Sequence, residues 1–172
     1  MGMFLKFLKS CFLLLLPWMM TAQNKSVVMK AFTDFPILTV DGFVPASKDA
    51  KRRVLSVNAG KYKDDYAAAR GKFKGDSGIY SITLNTLMEF DGESTYRILV
   101  DGKQIGEYQN PRTDKAGDFK PAGTTFKNVY VEEEAIIQVE FNSHTNELIP
   151  ENGGTAYARG RWSSLIFTSI NH

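Results

Sequence analysis

Between Asn142 and Trp162 the chain gathers Asn142, Asn146, Glu151, Asn152, Tyr157, Arg159 and Trp162. Carboxamides, a carboxylate and a guanidinium form paired hydrogen bonds to hydroxyl groups, and a flat ring packs against C–H faces, so the mixture suits a flat, hydroxyl-rich ligand such as a sugar. A second polar stretch, Asn58–Asp65, carries Tyr62, and Tyr66 follows it. If the fold brings the two stretches to one end, Tyr62 and Tyr157 supply stacking faces while Asn142, Glu151, Asn152 and Arg159 reach the hydroxyls. Trp162 shares its parity with Ile166, so it is either a ligand platform or a core residue.

Catalytic patterns are poor by comparison. The histidines are His144 and His172, and no HExxH, CxxC, GxSxG, GxGxxG or P-loop pattern occurs. Glu132–Glu134 reads as a solvated acidic turn, and Glu151, Asp64 and Asp65 as acidic loop residues. The catalytic alternative uses Tyr157 as acid/base, with Arg159 or Arg161 neutralising a uronate carboxylate. Glu89, Asp91 and Glu93 bracket a turn and are candidate Ca²⁺ ligands, although a hairpin by itself explains Asp91-Gly92. Lys51-Arg52-Arg53 reads as a solvated loop rather than an anion site.

The elements that must position these groups are strands. Tyr80, Ile82, Leu84, Met88 and Phe90 fall on one parity, interrupted by Thr86, and Ser81, Thr83, Asn85 and Glu89 fall on the other, with Leu87 the exception. That period of two buries one face of a strand. Asp91-Gly92 and Asp101-Gly102 are hairpin signals around Tyr96, Ile98 and Val100, so Lys72–Tyr108 reads as a three-stranded meander. Ser26–Phe32, Pro36–Val44, Val54–Val57 and Tyr66–Phe73 read as strands before it. Phe126–Val131, Ala135–Phe141 and Ala156–Ile170 read as strands after it. Pro45–Arg53, Gln109–Gly123 and Asn142–Gly154 read as loops. About eight to ten strands with turn-rich connections indicate an all-β fold, a β-sandwich or jelly roll of two antiparallel sheets. Its expected core includes Tyr80, Ile82, Leu84, Tyr96, Ile98, Val100, Val139 and Phe141.

Residues 1–22 read as a secretory signal peptide, with Lys6 and Lys9 before an apolar run from Phe12 to Met20 and cleavage after Ala22. The run is too short to span about 30 Å of hydrocarbon, and Pro17 interrupts it. The rest, residues 23–172, reads as one sandwich domain with no membrane span. Of 21 Lys and Arg, Lys6 and Lys9 leave with the signal, so 19 remain against 19 Asp and Glu. A chain so balanced has no bulk attraction for nucleic acid. Cys11, the one cysteine, also lies in the signal, so neither disulfides nor thiol chemistry are expected. The expected location is secreted, periplasmic or at the cell surface, by bacterial-type export.

Three motifs carry a resemblance. They are F-x-G-x-SG-x-Y (Phe73 to Tyr80), E-x-DGES-x-Y (Glu89 to Tyr96) and L-V-DGK-x-I-G (Leu99 to Gly106). Their order resembles the middle of secreted carbohydrate-binding modules of families 6 and 35 and their galactose-binding-like relatives. AYARGRW (Ala156 to Trp162) resembles the closing strand of such modules. The likeness runs from Phe73 to Phe167 and implies a jelly roll that binds a polysaccharide or oligosaccharide at its loop end, in partnership with a separate carbohydrate-active enzyme. It also implies a structural Ca²⁺ held by an acidic motif on the first strand, where this chain has VVMKAF with Lys30 and no Glu. In place of the family's loop tryptophan, Tyr62, Tyr66 or Tyr157 would serve. The expected function is therefore non-catalytic glycan binding. A structural or protein-interaction sandwich is the first alternative, and a small jelly-roll polysaccharide lyase the second.

Overall fold

The computed structural model describes residues 25–114, 116, 117 and 119–170. The expected signal peptide and His172 lie outside the described residues. The chain enters as β1 (Ser26–Lys30), makes one helical turn α1 (Ala31–Asp34), and continues through β2 (Val44–Asp49), β3 (Val54–Val57) and β4 (Tyr66–Lys72). Next come β5 (Gly78–Leu87), β6 (Thr95–Val100), β7 (Lys103–Gln109), β8 (Pro121–Val131) and β9 (Ile136–Asn142). A small hairpin, β10 (Pro150–Glu151) and β11 (Gly154–Thr155), precedes β12 (Trp162–Ser169).

These strands form a β-sandwich. One layer runs β7-β6-β9-β4; in the other, β8 and β5 lead to β12, whose far edge is shared by β1 and β3. β2 joins the layers. Its Ala46–Asp49 segment pairs antiparallel with β3, and Val44 and Pro45 pair with β4 in parallel, a departure from the purely antiparallel sheets expected. Alternation explains the packing: Tyr80, Ile82, Leu84, Tyr96, Ile98, Val100, Val139 and Phe141 are all buried, as their parity required. Each large apolar side chain removed from water in this way contributes about 1.5–3 kcal/mol. Phe141 of β9 and Trp162 of β12 meet across the layers with ring centroids 6.0 Å apart.

The meander is corrected. β5 and β6 lie in opposite layers, and only β6 and β7 form a hairpin, closed by Asp101 (φ 47) and Gly102 (φ 80). Residues 88–94 cross between the layers, with a tight turn at Phe90-Asp91 flanked by an isolated antiparallel bridge between Glu89 and Gly92. Gly92 is required there for space, since a Cβ at that position would sit 2.1 Å from the His144 carbonyl oxygen.

The N-terminal strands also differ from expectation. β1 stops at Lys30 because α1 follows; the Lys30 N–H donates to Asp34 Oδ2 at 2.7 Å, and the turn drops Phe35 edge-on against Trp162 at 4.8 Å. Within Pro36–Val44 the strand-like pairings are a bridge between Ile37 and Arg70 and, at the last residue, that of Val44 with Ala67. Conversely, the expected loop Pro45–Arg53 contains most of β2, whose neighbours supply hydrogen bonds that its Pro-containing, charged sequence does not advertise.

Candidate functional site

The two loops singled out by composition meet. Ser143 donates its N–H to the Asp65 carbonyl (3.2 Å) and its hydroxyl to the Tyr62 carbonyl (2.7 Å). Val57 N–H donates to the Arg159 carbonyl at 2.7 Å, and the Lys63 ammonium lies 5.4 Å from the centre of the Tyr157 ring. The crossover 88–94 joins the same end through Asn146 N–H, which donates to the Asp91 carbonyl at 3.1 Å.

Between these loops lies a cleft of about 550 Å³ whose walls include Lys63, Asp91, Glu151, Asn152, Tyr157 and Arg159. The β10–β11 hairpin forms one wall, and Asn152 (φ 48) and Gly153 (φ 79) give it the tight turn that holds Glu151 and Asn152 exposed. Tyr157 is half-buried, with its pKa raised by desolvation and by the Asp64 carboxylate to which it hydrogen-bonds. It is therefore a neutral phenol at neutral pH, with an accessible face and a hydroxyl. A smaller adjoining cavity of about 260 Å³ is walled by Met88, Phe90, Phe119 and Ile149 and shares Asp91 and Arg159 with the first.

A buried ion pair underlies both cavities. Glu89 Oε2 accepts from Arg161 Nη1, and Glu89 Oε1 accepts from the backbone N–H groups of Arg159 (3.0 Å) and Arg161 (3.2 Å). Arg161 Nε lies 3.4 Å from Asp49 Oδ2 without hydrogen-bond geometry. The Phe119 ring is flanked by Arg161 (5.0 Å) and Arg52 (4.1 Å). Burial pushes the Glu89 carboxyl up to about 7 despite the opposing pull of Arg161. By fixing the backbone of residues 159–161, Glu89 turns the Arg159 side chain outward while Arg161 points inward. Nothing local in the sequence announced this pair, whose members are 72 residues apart. The alternation of the sequence puts Glu89 on the wetted face, with Met88 and Phe90 buried. Beyond Leu87, where β5 ends, burial switches parity, so Glu89 is buried and Met88 and Phe90 are half-buried.

The sequence-derived candidates therefore divide. Glu151, Asn152, Tyr157 and Arg159 share the cleft. Tyr62 packs its half-buried ring against the core, beside Lys61 at 4.9 Å, and is not in the cleft wall. Asn142 is buried at the end of β9, where its Oδ1 accepts the Thr95 N–H at 2.7 Å, so it does not reach a ligand. Trp162 is 0 % exposed and belongs to the core, offering no stacking face. Arg161 is likewise committed to Glu89, which removes it from the uronate-neutralising role.

The calcium expectation is corrected at Glu89, Asp91 and Glu93. Among the described residues no group of three or more His, Cys, Asp or Glu converges as a metal site. Glu89 is occupied by Arg161, Asp91 faces the charges of Arg161 and Arg159, and Glu93 accepts from Asn146 Nδ2 at 3.4 Å. A cation placed there would meet two guanidinium groups, so the residues present do not fit Ca²⁺.

No family model matches the chain. The uncharacterised protein P23 of Formosa agariphila is 31% identical over 117 residues, covering 67% of this chain, and the chain spans 26% of that relative's length. Among solved structures, a family-36 carbohydrate-binding module of a multidomain xylanase from the hindgut metagenome of Trinervitermes trinervoides superposes with a TM-score of 0.51. It is 13% identical, and the match covers 86% of this chain and all (100%) of that one. The insecticidal crystal protein Cry2Aa matches with a TM-score of 0.50 and 14% identity, over 84% of this chain and 21% of its own. Modules of families 35 and 6 are also among the matches. At such identities the likeness is one of fold, and the chain shares the β-sandwich of carbohydrate-binding modules.

Proposed function

We propose that this domain is an exported, non-catalytic carbohydrate-binding module that holds a polysaccharide or oligosaccharide in the cleft between residues 58–65 and 143–157. The observation that carries this reading is the convergence on one cleft of Tyr157, Glu151, Asn152, Lys63 and Arg159 from loops far apart in sequence. Tyr157 stacks on the C–H face of a sugar ring, and the carboxylate, carboxamide and guanidinium take its hydroxyls. The kinship of fold with a xylanase-borne module supports the same class of ligand. A carbohydrate-active enzyme, on this chain's natural partner or on a longer version of it, would benefit from the anchoring.

The lyase alternative is disfavoured by chemistry. A tyrosine acting as base needs a depressed pKa, and desolvation and Asp64 move that of Tyr157 the other way. A glycan array probed with residues 23–172 tests the proposal. Binding to at least one glycan class without release of unsaturated uronate from acidic polysaccharides is expected. Formation of such products would transfer the reading to a lyase, and an empty array would sink it.

A further inference from the structure

The basic run Lys51-Arg52-Arg53 follows β2 and looks, in isolation, like solvated loop. The fold brings Arg159, from the far end of the chain, to the same place. Together Lys48, Lys51, Arg52 and Arg159 line a groove of about 560 Å³ that also presents Ser47 and Asn58. Its single acid, Asp49, is already neutralised: Arg52 Nη1 lies 3.1 Å from Oδ2 and Arg161 Nε 3.4 Å from it. Arg52 is further held on the Phe119 ring, and the Lys48 ammonium stands 5.0 Å from the centre of the Phe32 ring. Lys51 and Arg159 are exposed, and neither has a carboxylate within 4.0 Å among the described residues. On the other side of Arg159 lie Asp91 and Glu151, in the Tyr157 cleft. The charges are thus sorted across Arg159, which walls both depressions. A chain with balanced totals cannot attract a polyanion through its average field, but a groove with surplus local cations can hold one anionic group.

We infer that the glycan bound at the Tyr157 cleft continues past Arg159 into this groove and carries an anionic substituent there, a carboxylate or a sulfate ester. The planar fork of Arg159 matches either group in bidentate fashion, and Lys48 and Lys51 add point charges and donors. This inference rests on the glycan-binding reading above and narrows its substrate class.

The test is isothermal titration of wild type and the K48Q/K51Q double variant with length-matched neutral, uronate-containing and sulfated oligosaccharides. At low ionic strength at least one anionic set should bind wild type about fivefold or more tighter than the neutral set. That advantage should shrink as NaCl rises from about 50 to 500 mM. K48Q/K51Q, altered at two exposed positions, should lose the advantage while keeping its melting temperature and its neutral-sugar affinity. The uronate and sulfate arms identify which anion the groove takes. Equal or tighter binding of neutral sugars overturns this inference and leaves glycan binding standing, as does an anionic preference that survives in K48Q/K51Q for the groove itself. Absence of binding by every set overturns both.

Discussion

Arg161 Nη1 donates to Glu89 Oε2 beneath the loop end of the sandwich, joining the start of the β5–β6 crossover to the approach of β12 with both side chains buried. The pair stabilises a particular arrangement of loops rather than the core. Breaking one half is costly because it leaves the other charge buried without a partner. Arg161→Leu should therefore lower stability by about 3–5 kcal/mol in urea denaturation at neutral pH. A loss below about 1 kcal/mol would mean that Glu89 finds solvent or another donor.

The same pair sets a pH dependence. Burial raises the Glu89 pKa from 4.5 to about 7, against the pull of Arg161, so the folded chain binds this proton more tightly than the unfolded chain. The stabilisation is fully present below pH 4.5 and lost as pH rises through about 7. Asp49 behaves oppositely. Burial raises its pKa, but the Arg52 hydrogen bonds outweigh that and hold it below 3.8, so its contribution disappears only in stronger acid. Between pH 4.5 and 7 the melting temperature of wild type should fall relative to that of Glu89→Gln. A difference that stays flat, or rises, contradicts the assignment.

Period-two patterning located the strands because burial on one face is a local property. Tyr80, Ile82 and Leu84 could be read from β5 alone, and Asp101-Gly102 announced its hairpin by the positive φ it requires. Pairing partners are not local. Asp91-Gly92 has the same composition as a hairpin turn but joins strands in opposite layers, where its glycine is needed for close approach to His144. β2 escaped notice because its hydrogen-bond partners, not its side chains, make VPASKD a strand.

The site was legible in part for the same reason. Exposed loop residues such as Asn152 and Tyr157 owe their role to residue type, which is visible. Asn142 and Trp162 owe theirs to the ends of central strands. There, Arg161 and Trp162 are buried in succession beside an irregularity in the β12 register, which breaks the parity rule.

Trp162 tests the core. Its ring contacts Phe35 and Phe141 and it is fully buried, so Trp162→Ala should cost about 3–5 kcal/mol in chemical denaturation. Leu84→Ala, also fully buried, should cost about 2–5 kcal/mol. A near-neutral Trp162→Ala would return that residue to the surface and undo the sandwich packing described here.

Gly92 tests the crossover. A methyl group there would lie 2.1 Å from the His144 carbonyl oxygen and 3.2 Å from Ala158 Cβ, in backbone that is itself bridged, His144 to Ala158. Gly92→Ala should destabilise by about 1–3 kcal/mol and speed hydrogen exchange at the amides of His144 and Ala158. Unchanged exchange at those amides would indicate that the loops do not pack as described.

The most direct measurement of the central claim compares wild type with Tyr157→Ala by calorimetric titration against the glycan selected on the array. A shallow, solvent-facing cleft should bind wild type in the micromolar to millimolar range, about 4–8 kcal/mol. Tyr157→Ala should lose measurable binding with its melting temperature nearly unchanged, since a half-exposed ring contributes little to the core. Retention of wild-type affinity by a folded Tyr157→Ala protein would contradict the account.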